Sequence, residues 1–459
     1  MVAMISPAAP DSPTTVPFRV RLGYAVGSFC TANFLTIPGL LLLYYMTELL
    51  AVPAWLAGIV LFLPKAWDLL LNPLVGQWSD RTRSRWGPRR PWLLAGAAVL
   101  PVSFAAMFAG PPLTGTAAAA YVGAMFLVAA TGYALYEVPY KAMPAEMTTG
   151  YHERTRLLEW RMIFVGVSVA LSGIVAPMIA GNSLSGYRLM GIVFGAILLA
   201  AMLGSFFGTA RAPYVGPETT GTLRAQLAAL RSSRPFLLLL GFSSAQNLAV
   251  GIMLAGAPYF AAYTLGDPGG TSAVFAALVG PMLVTNQLWT RVARRLDKRG
   301  AMILAGAFLT VGGLMVIATP VLGAAYAYLA VFLIGLGYAG VQLLQYSMLA
   351  DVIAHDSAVS GERRGGVFTG LWNAIENAIS ALGATVYGLV LGIGGFISSD
   401  PATPVAQPHG ALVAVLVGVS VVPAVIAFTG VLLTLKYDLT ADRFTGLQPG
   451  RPAERPAAR

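Results

Sequence analysis

Apolar stretches of about 20 residues recur from Arg19 to Lys436, separated by short polar breaks. A helix needs about 20 apolar residues to cross the hydrocarbon of a bilayer. The pattern therefore predicts spans over 20–47, 53–78, 91–110, 117–142, 157–181, 188–210, 235–265, 271–290, 300–319, 324–349, 367–395 and 410–436. Turn chemistry marks the breaks, as in Gly110-Pro111-Pro112 and Asp267-Pro268-Gly269-Gly270. Pro64, Pro73 and Pro258 lie inside spans, where neighbouring helices must accommodate the kinks they cause. The chain divides into a disordered tail (1–17), a first six-helix half (18–210), a cytoplasmic linker (211–234), a second half (235–436) and a polar cytoplasmic tail (437–459). The first tail lacks the basic start and apolar core of a signal peptide. The expected fold class is an all-α membrane protein of twelve helices in two pseudo-repeated halves.

Composition agrees: 57% of the residues are hydrophobic and 10% charged, with a mean hydropathy of +0.71. Soluble domains carry about 25% charged residues. A cytosolic enzyme, a secreted disulfide scaffold and a DNA-binding protein are all excluded. The net charge of +10 then becomes a question of placement. With the amino terminus inside, the even-numbered loops and the two tails hold 25 of the 29 Lys and Arg residues, and the opposite face holds Arg188. Cytoplasmic loops retain positive charge, so both termini are expected in the cytoplasm of a multi-pass cell-membrane protein, with no nucleic-acid partner. Cys30 is the single cysteine and makes no intrachain disulfide.

An internal repeat supports the even count. Ala145-Glu146-Met147 and then Glu153-Arg154 follow the fourth span, while Ala350-Asp351-Val352 and then Glu362-Arg363 follow the tenth, at offsets of 205 and 209 residues. Two five-residue basic clusters, from Arg81 to Arg90 and from Arg291 to Arg299, repeat at a similar offset. Duplicated six-span halves describe a secondary transporter with its solute site between them near the midplane. None of the four lysines follows a glycine, so no phosphate-binding loop is encoded. The three histidines, His152, His355 and His409, lie far apart, and no zinc motif exists. No cofactor or resident metal is expected, and uphill transport must draw on an ion gradient.

Ionisable groups inside apolar helices cost several kcal/mol each unless paired or hydrated. Span 2 carries Lys65, Asp68 and Asn72 on one helical face, and span 4 carries Tyr133, Glu137 and Lys141 likewise. Span 11 carries Asn373, Glu376 and Asn377, with Ser380 a turn on. Three polar stripes thus face a common cavity. A carboxylate there binds Na⁺ or carries a proton. Structural alternatives stand beside this reading: Asp68 neutralises Lys65, Glu137 pairs with Lys141, and Glu376 tilts away while Asn377 faces in. The basic clusters read as orientation signals and gating pairs.

The run Asp68-Leu-Leu-Leu-Asn72-Pro73-Leu-Val-Gly76, followed by Ser79-Asp80-Arg81-Thr82-Arg83-Ser84-Arg85-Trp86-Gly87 and Arg90-Pro91-Trp92, resembles the melibiose permease group of the major facilitator superfamily. These are glycoside–pentoside–hexuronide:cation symporters, to which animal lysophospholipid symporters are related. Glu137-Val138-Pro139-Tyr140, Arg154-Thr155-Arg156 with Arg161, Ala350-Asp351-Val352, and Gly361-Glu362-Arg363-Arg364-Gly365 with Leu371-Trp372-Asn373 extend the resemblance from Arg21 to Lys436.

The resemblance implies alternating access. It implies family roles for Asp68 and Glu137 at the cation site, for Glu137 also at the solute site, and for Lys65 and Arg161 as family basic positions. With the polar stripes added, the candidate cation site is Asp68, Asn72 and Glu137, and the candidate solute contacts are Lys65, Tyr133, Glu137, Lys141, Arg161, Asn373 and Asn377. Gating loops would carry Gly76, Asp80, Arg81, Arg85, Asp351, Glu362 and Arg363. Departures from the family pattern are equally specific. Asn72 stands where a second cation-site carboxylate is expected, Ala134 where melibiose permease has a cation-coordinating threonine, and Asn377 where span 11 usually carries a lysine. Ala32 and Asn33 stand where sugar permeases have a sugar-binding aspartate.

The expected function is symport of a small organic solute, glycoside-like by resemblance, coupled to Na⁺ or H⁺ by a monomer in the lipid bilayer. Open alternatives are an amphiphile carrier (lipid, lysolipid or steroid-like), a proton-coupled or uncoupled facilitator, and a non-transporting sensor.

Overall fold

A computed structural model describes residues 16–148, 151–214, 233–360, 365–399 and 405–437, and every regular element among them is helical. Expectations about Glu362 and Arg363, most of both tails and most of the central linker fall outside the described residues. The first half consists of α1 (Phe18–Glu48), α2 (Ala54–Arg81), α3 (Arg90–Phe108), α4 (Gly115–Met147), α5 (Arg156–Ala180) and α6 (Leu184–Gly208). In the second half, α7 (Arg234–Thr264) and α8 (Thr271–Val284) precede α9 (residues 298–322). Then come α10 (Ala324–Ser360), α11 (Gly365–Ile393) and α12 (His409–Thr434).

The spans end where expected except at three places on the termini-bearing side. After a break at Thr285, α8 resumes and runs to Asp297, whose left-handed backbone (φ 64°, ψ 161°) reverses the chain into α9. Arg291, Arg294 and Arg295 therefore lie on a helical extension, not in the expected loop. That extension is amphipathic: Trp289 is buried and donates its indole N–H to the Leu336 carbonyl (2.9 Å), while the arginines stay at the surface. Likewise α4 continues to Met147 and α10 to Ser360, past the ends expected at 142 and 349. Their added turns carry Glu146 and Asp351, each of which finds a basic partner in its own half.

Within each half the helices pack in matching pairs: α3 against α4 and α6, α1 against α5 and α6, and in the second half α9 against α10 and α12, α7 against α11 and α12. Between the halves, α1 meets α7, α2 meets α11, and α5 meets α8. Membrane helices associate through small residues that let backbones approach. At the α2–α11 crossing, a Cβ on Gly388 would lie 2.7 Å from the Ala54 carbonyl and 3.2 Å from the Gly58 Cα. Three helices are locally underwound into a wider turn: α1 at Pro38–Leu42, α5 at Leu171–Val175 and α7 at Phe260–Thr264. Such turns release backbone groups and often mark functional positions.

Candidate substrate and ion-coupling site

A cavity of about 100 Å³ opens between the halves at mid-helix depth. Its floor and walls come from Phe34, Pro38 and Gly39 of α1, Lys65 and Asp68 of α2, Leu254 of α7 and Ser380 of α11. The wide turn in α1 thus forms part of the wall. Lys65 Nζ stands 3.7 Å from Asp68 Oδ2. Asp68 Oδ1 is buried and accepts no hydrogen bond from the described residues. Asn72, one turn further toward the termini-bearing end, is exposed and Gly76 half-buried.

Glu137 of α4 is 4% exposed. Thr31 of α1 donates to its Oε2 (2.7 Å), and Lys141 Nζ lies 2.8 Å from Oε1. Arg161 of α5 approaches the same oxygen at 4.0 Å, and its guanidinium lies 6.0 Å from the centre of the Tyr140 ring. Lys141 is 41% exposed, so this cluster has one face open. Tyr133 does not share that face. It is buried and stacked on Phe34 (ring centroids 4.7 Å apart), so its ring backs the cavity wall. Of the span 11 residues, Asn373 and Asn377 lie on α11, and their side chains are outside the described set.

Glu376 is half-buried. It sits in a polar cage built from α7 and α10, where Asn247, Gln345 and Tyr346 all donate to its carboxylate. The spacing Gln342–Gln345–Tyr346 on α10, one polar face of an apolar helix, was the legible signal for this cage. The meeting of this face with Glu376 and Asn247, on two other helices remote in sequence, was not.

Of the expected gating residues, Asp80 and Asp351 each pair with a basic residue of their own half. Arg89 donates Nε to Glu146 Oε1 (2.8 Å), and its other nitrogens contact Glu146, Asp80 (2.6 Å) and the Ser79 hydroxyl. Burial pulls the Arg89 guanidinium toward the neutral form, but Glu146 and Asp80 outweigh it and raise its pKa above the ordinary value. In the second half, Lys298 pairs with Asp351. Lys298 follows Arg89 by 209 residues and Asp351 follows Glu146 by 205, so the sequence repeat corresponds to one ion pair built twice. Arg81 and Arg85 are exposed, and the Arg85 guanidinium lies over Trp86 at 5.1 Å.

At the opposite end, bonds run between the halves. Tyr263 donates to Glu48 Oε1 (2.9 Å) and Ser399 to Glu48 Oε2 (3.2 Å). Thr47 and Tyr259 share a hydrogen bond of 2.6 Å. The Ser399 backbone bonds both Thr47 and Ala51, while Thr385 donates to the Gly58 carbonyl and Ser272 to that of Ile174. This end is closed by direct bonds, a feature that reading single spans did not reveal.

Among the described residues, eleven helices long and apolar enough to cross a membrane and the shorter apolar α8 form two matched halves with polar groups gathered between them at mid-depth, the architecture of a secondary transporter. The family model for MFS/sugar transport proteins matches residues 23–441, and the chain belongs to that family. It is 28% identical to an uncharacterised symporter of Synechocystis, over 92% of this chain and 94% of that protein. It is 24% identical to a putative glycoside/cation symporter of Escherichia coli, over 94% of each. Its fold matches a bacterial homologue of the human lysosomal transporter Spinster, solved inward-facing and unoccupied, with a TM-score of 0.70 over 93% of this chain and 99% of that one at 14% identity.

Proposed function

We propose that the protein is a cation-coupled symporter of a glycoside-like solute, seated in the cytoplasmic membrane with both termini in the cytoplasm, and that Asp68 is its coupling carboxylate. The observation that carries this reading is the buried, unpartnered Asp68 Oδ1 in the wall of the cavity between the halves. A Na⁺ ion or a proton arriving there competes with Lys65 for the carboxylate. An unshielded charge resists enclosure in a low-dielectric interior, so the loaded cavity closes and turns over more readily than one holding the cation or the solute alone. The sidedness follows from the distribution of basic residues. With the opposite end bonded shut, the described state is then inward-facing. The aromatic walls, Phe34 and Phe126, suit the apolar ring face or aglycone of a glycoside.

The test is uptake of 4-nitrophenyl glycosides into proteoliposomes under an imposed Na⁺ or pH gradient. The wild type is expected to concentrate solute under one of the two gradients, and Asp68→Asn to equilibrate it without concentrating it. Gradient-driven accumulation that survives Asp68→Asn intact refutes the coupling role.

A further inference from the structure

The cage around Glu376 has no part in the coupling scheme above, yet it is the most completely organised polar group in the second half. Asn247 Nδ2 (3.1 Å) and Gln345 Nε2 (3.0 Å) donate to Oε1, and the Tyr346 hydroxyl (2.9 Å) donates to Oε2. All three donors are neutral.

The Asn247 amide is held in this orientation by a partner of fixed polarity, and the Gln345 amide by the carboxylate and its neighbours. Asn247 Nδ2 also donates to the Ser243 carbonyl (3.0 Å), which can only accept. Gln345 Oε1 is occupied by the Ser243 hydroxyl (2.7 Å), while its Nε2 donates again to Gln342 Oε1 (2.7 Å). The amide N–H groups therefore point at the carboxylate and the amide oxygens point away from it. A metal cation at this place would meet N–H groups instead of the several oxygens that hard cations require.

What the cage leaves open is an acceptor position. Each carboxylate oxygen accepts two hydrogen bonds, and among the described residues Oε2 has one, from Tyr346. Tyr346 itself is 45% exposed. Asn247 and Glu376 lie one helical turn from Gly251 and Ser380, which line the cavity, on the same faces of α7 and α11. The cage thus lies one turn beyond the cavity lining on α7 and α11.

We propose that Glu376 is the solute-recognition acceptor of the second half, taking a hydrogen bond from a hydroxyl of a polyhydroxylated solute held between the halves. The solute would touch the Glu137–Lys141–Arg161 cluster on one side and Glu376 on the other. Only a ligand that bridges both halves favours bringing them together. This inference rests on the glycoside reading above. It supplies what the absence of an acid at Ala32 and Asn33 takes away, a carboxylate that reads hydroxyl groups, from the other half of the protein.

The experiment is calorimetric binding of 4-nitrophenyl glucoside, galactoside and xyloside to the purified full-length protein, followed by monodeoxy analogues of whichever binds best. Glu376→Gln keeps the shape but replaces an acceptor oxygen by an N–H donor. It is expected to weaken binding about 10- to 100-fold, the worth of a charge-assisted hydrogen bond. It is also expected to bind the parent glycoside and one deoxy analogue alike, where the wild type separates them at least tenfold. A cage that is merely loosened weakens all analogues equally, so the lost discrimination is the diagnostic readout. Tyr346→Phe retains the carboxylate, serves where Glu376→Gln fails to fold, and should narrow the same discrimination by a smaller factor. Discrimination that persists unchanged in the folded variants overturns the inference. A wild type that binds none of the glycosides overturns the glycoside reading, and this inference with it.

Discussion

The closed end of the bundle makes a quantitative demand on the transport cycle. Glu48, at the end of α1, accepts from Tyr263 at 2.9 Å and from Ser399 at 3.2 Å, both in the second half. Each is a hydrogen bond to a carboxylate, worth about 1.5 kcal/mol at the lower end of such bonds. Glu48→Ala removes both, so the closed state loses about 3 kcal/mol relative to a state in which this end is open to water. That corresponds to a shift of about 100-fold in the equilibrium between the two states. Pro112 and Pro268 are exposed on loops of different halves at this end. Spin labels at cysteines introduced there report the separation by electron–electron dipolar spectroscopy, and the single native thiol, Cys30, is buried. The variant is expected to populate a longer distance that is scarce in the wild type. Glu48→Gln keeps one carbonyl acceptor and should fall between them. If Glu48→Ala leaves the distance distribution of the wild type unchanged, these bonds do not hold the end shut.

Three further substitutions probe the packing and the pairs on the other side. Gly388→Ala places a Cβ 2.7 Å from the Ala54 carbonyl, so α2 and α11 must separate; at least a tenfold fall in uptake is expected with membrane expression retained, read with the same spin labels. Arg89→Ala strands Glu146, whose side chain is 7% exposed, at a cost of about 3 kcal/mol. Lys298→Ala breaks a pair that is 38% and 33% exposed and costs at most about 1 kcal/mol. Thermal unfolding in detergent should therefore show a clearly larger loss for Arg89→Ala, and equal losses would refute the assignment by burial.

The fold was legible because one physical demand, backbone satisfaction inside a bilayer, leaves few options. Span number, the repeat and the acid that closes each repeated ion pair all follow from hydropathy and spacing. Glu146 and Asp351 could be singled out by their offset, but their partners could not, since Arg89 and Lys298 each sit within a cluster of five basic residues. Helical spacing reads which residues share a face, so Lys65 with Asp68 and Glu137 with Lys141 were visible as pairs. It does not read what stands opposite that face. Thr31 on Glu137, the neutral donors on Glu376 and the Glu48–Tyr263 contact all join helices remote in sequence. Tyr133 illustrates the converse, because it shares the stripe of Glu137 yet is covered by Phe34.

The two halves repeat their architecture while dividing their chemistry. The paired ion bridges and the wide turns in α1 and α7 are duplicated, as a rocking mechanism requires of its supporting frame. The charges facing the cavity are not duplicated. The first half gathers Lys65, Asp68, Glu137, Lys141 and Arg161, a set of partly compensated ion pairs that can exchange partners when a cation enters. The Glu376 cage in the second half meets its carboxylate with neutral donors held in one orientation, a rigid reader instead of a switch. A duplicated frame lets both ends open by the same motion. In the cycle proposed above, the unequal chemistry ties the motion to an ion through the first half and to the identity of the solute through the second.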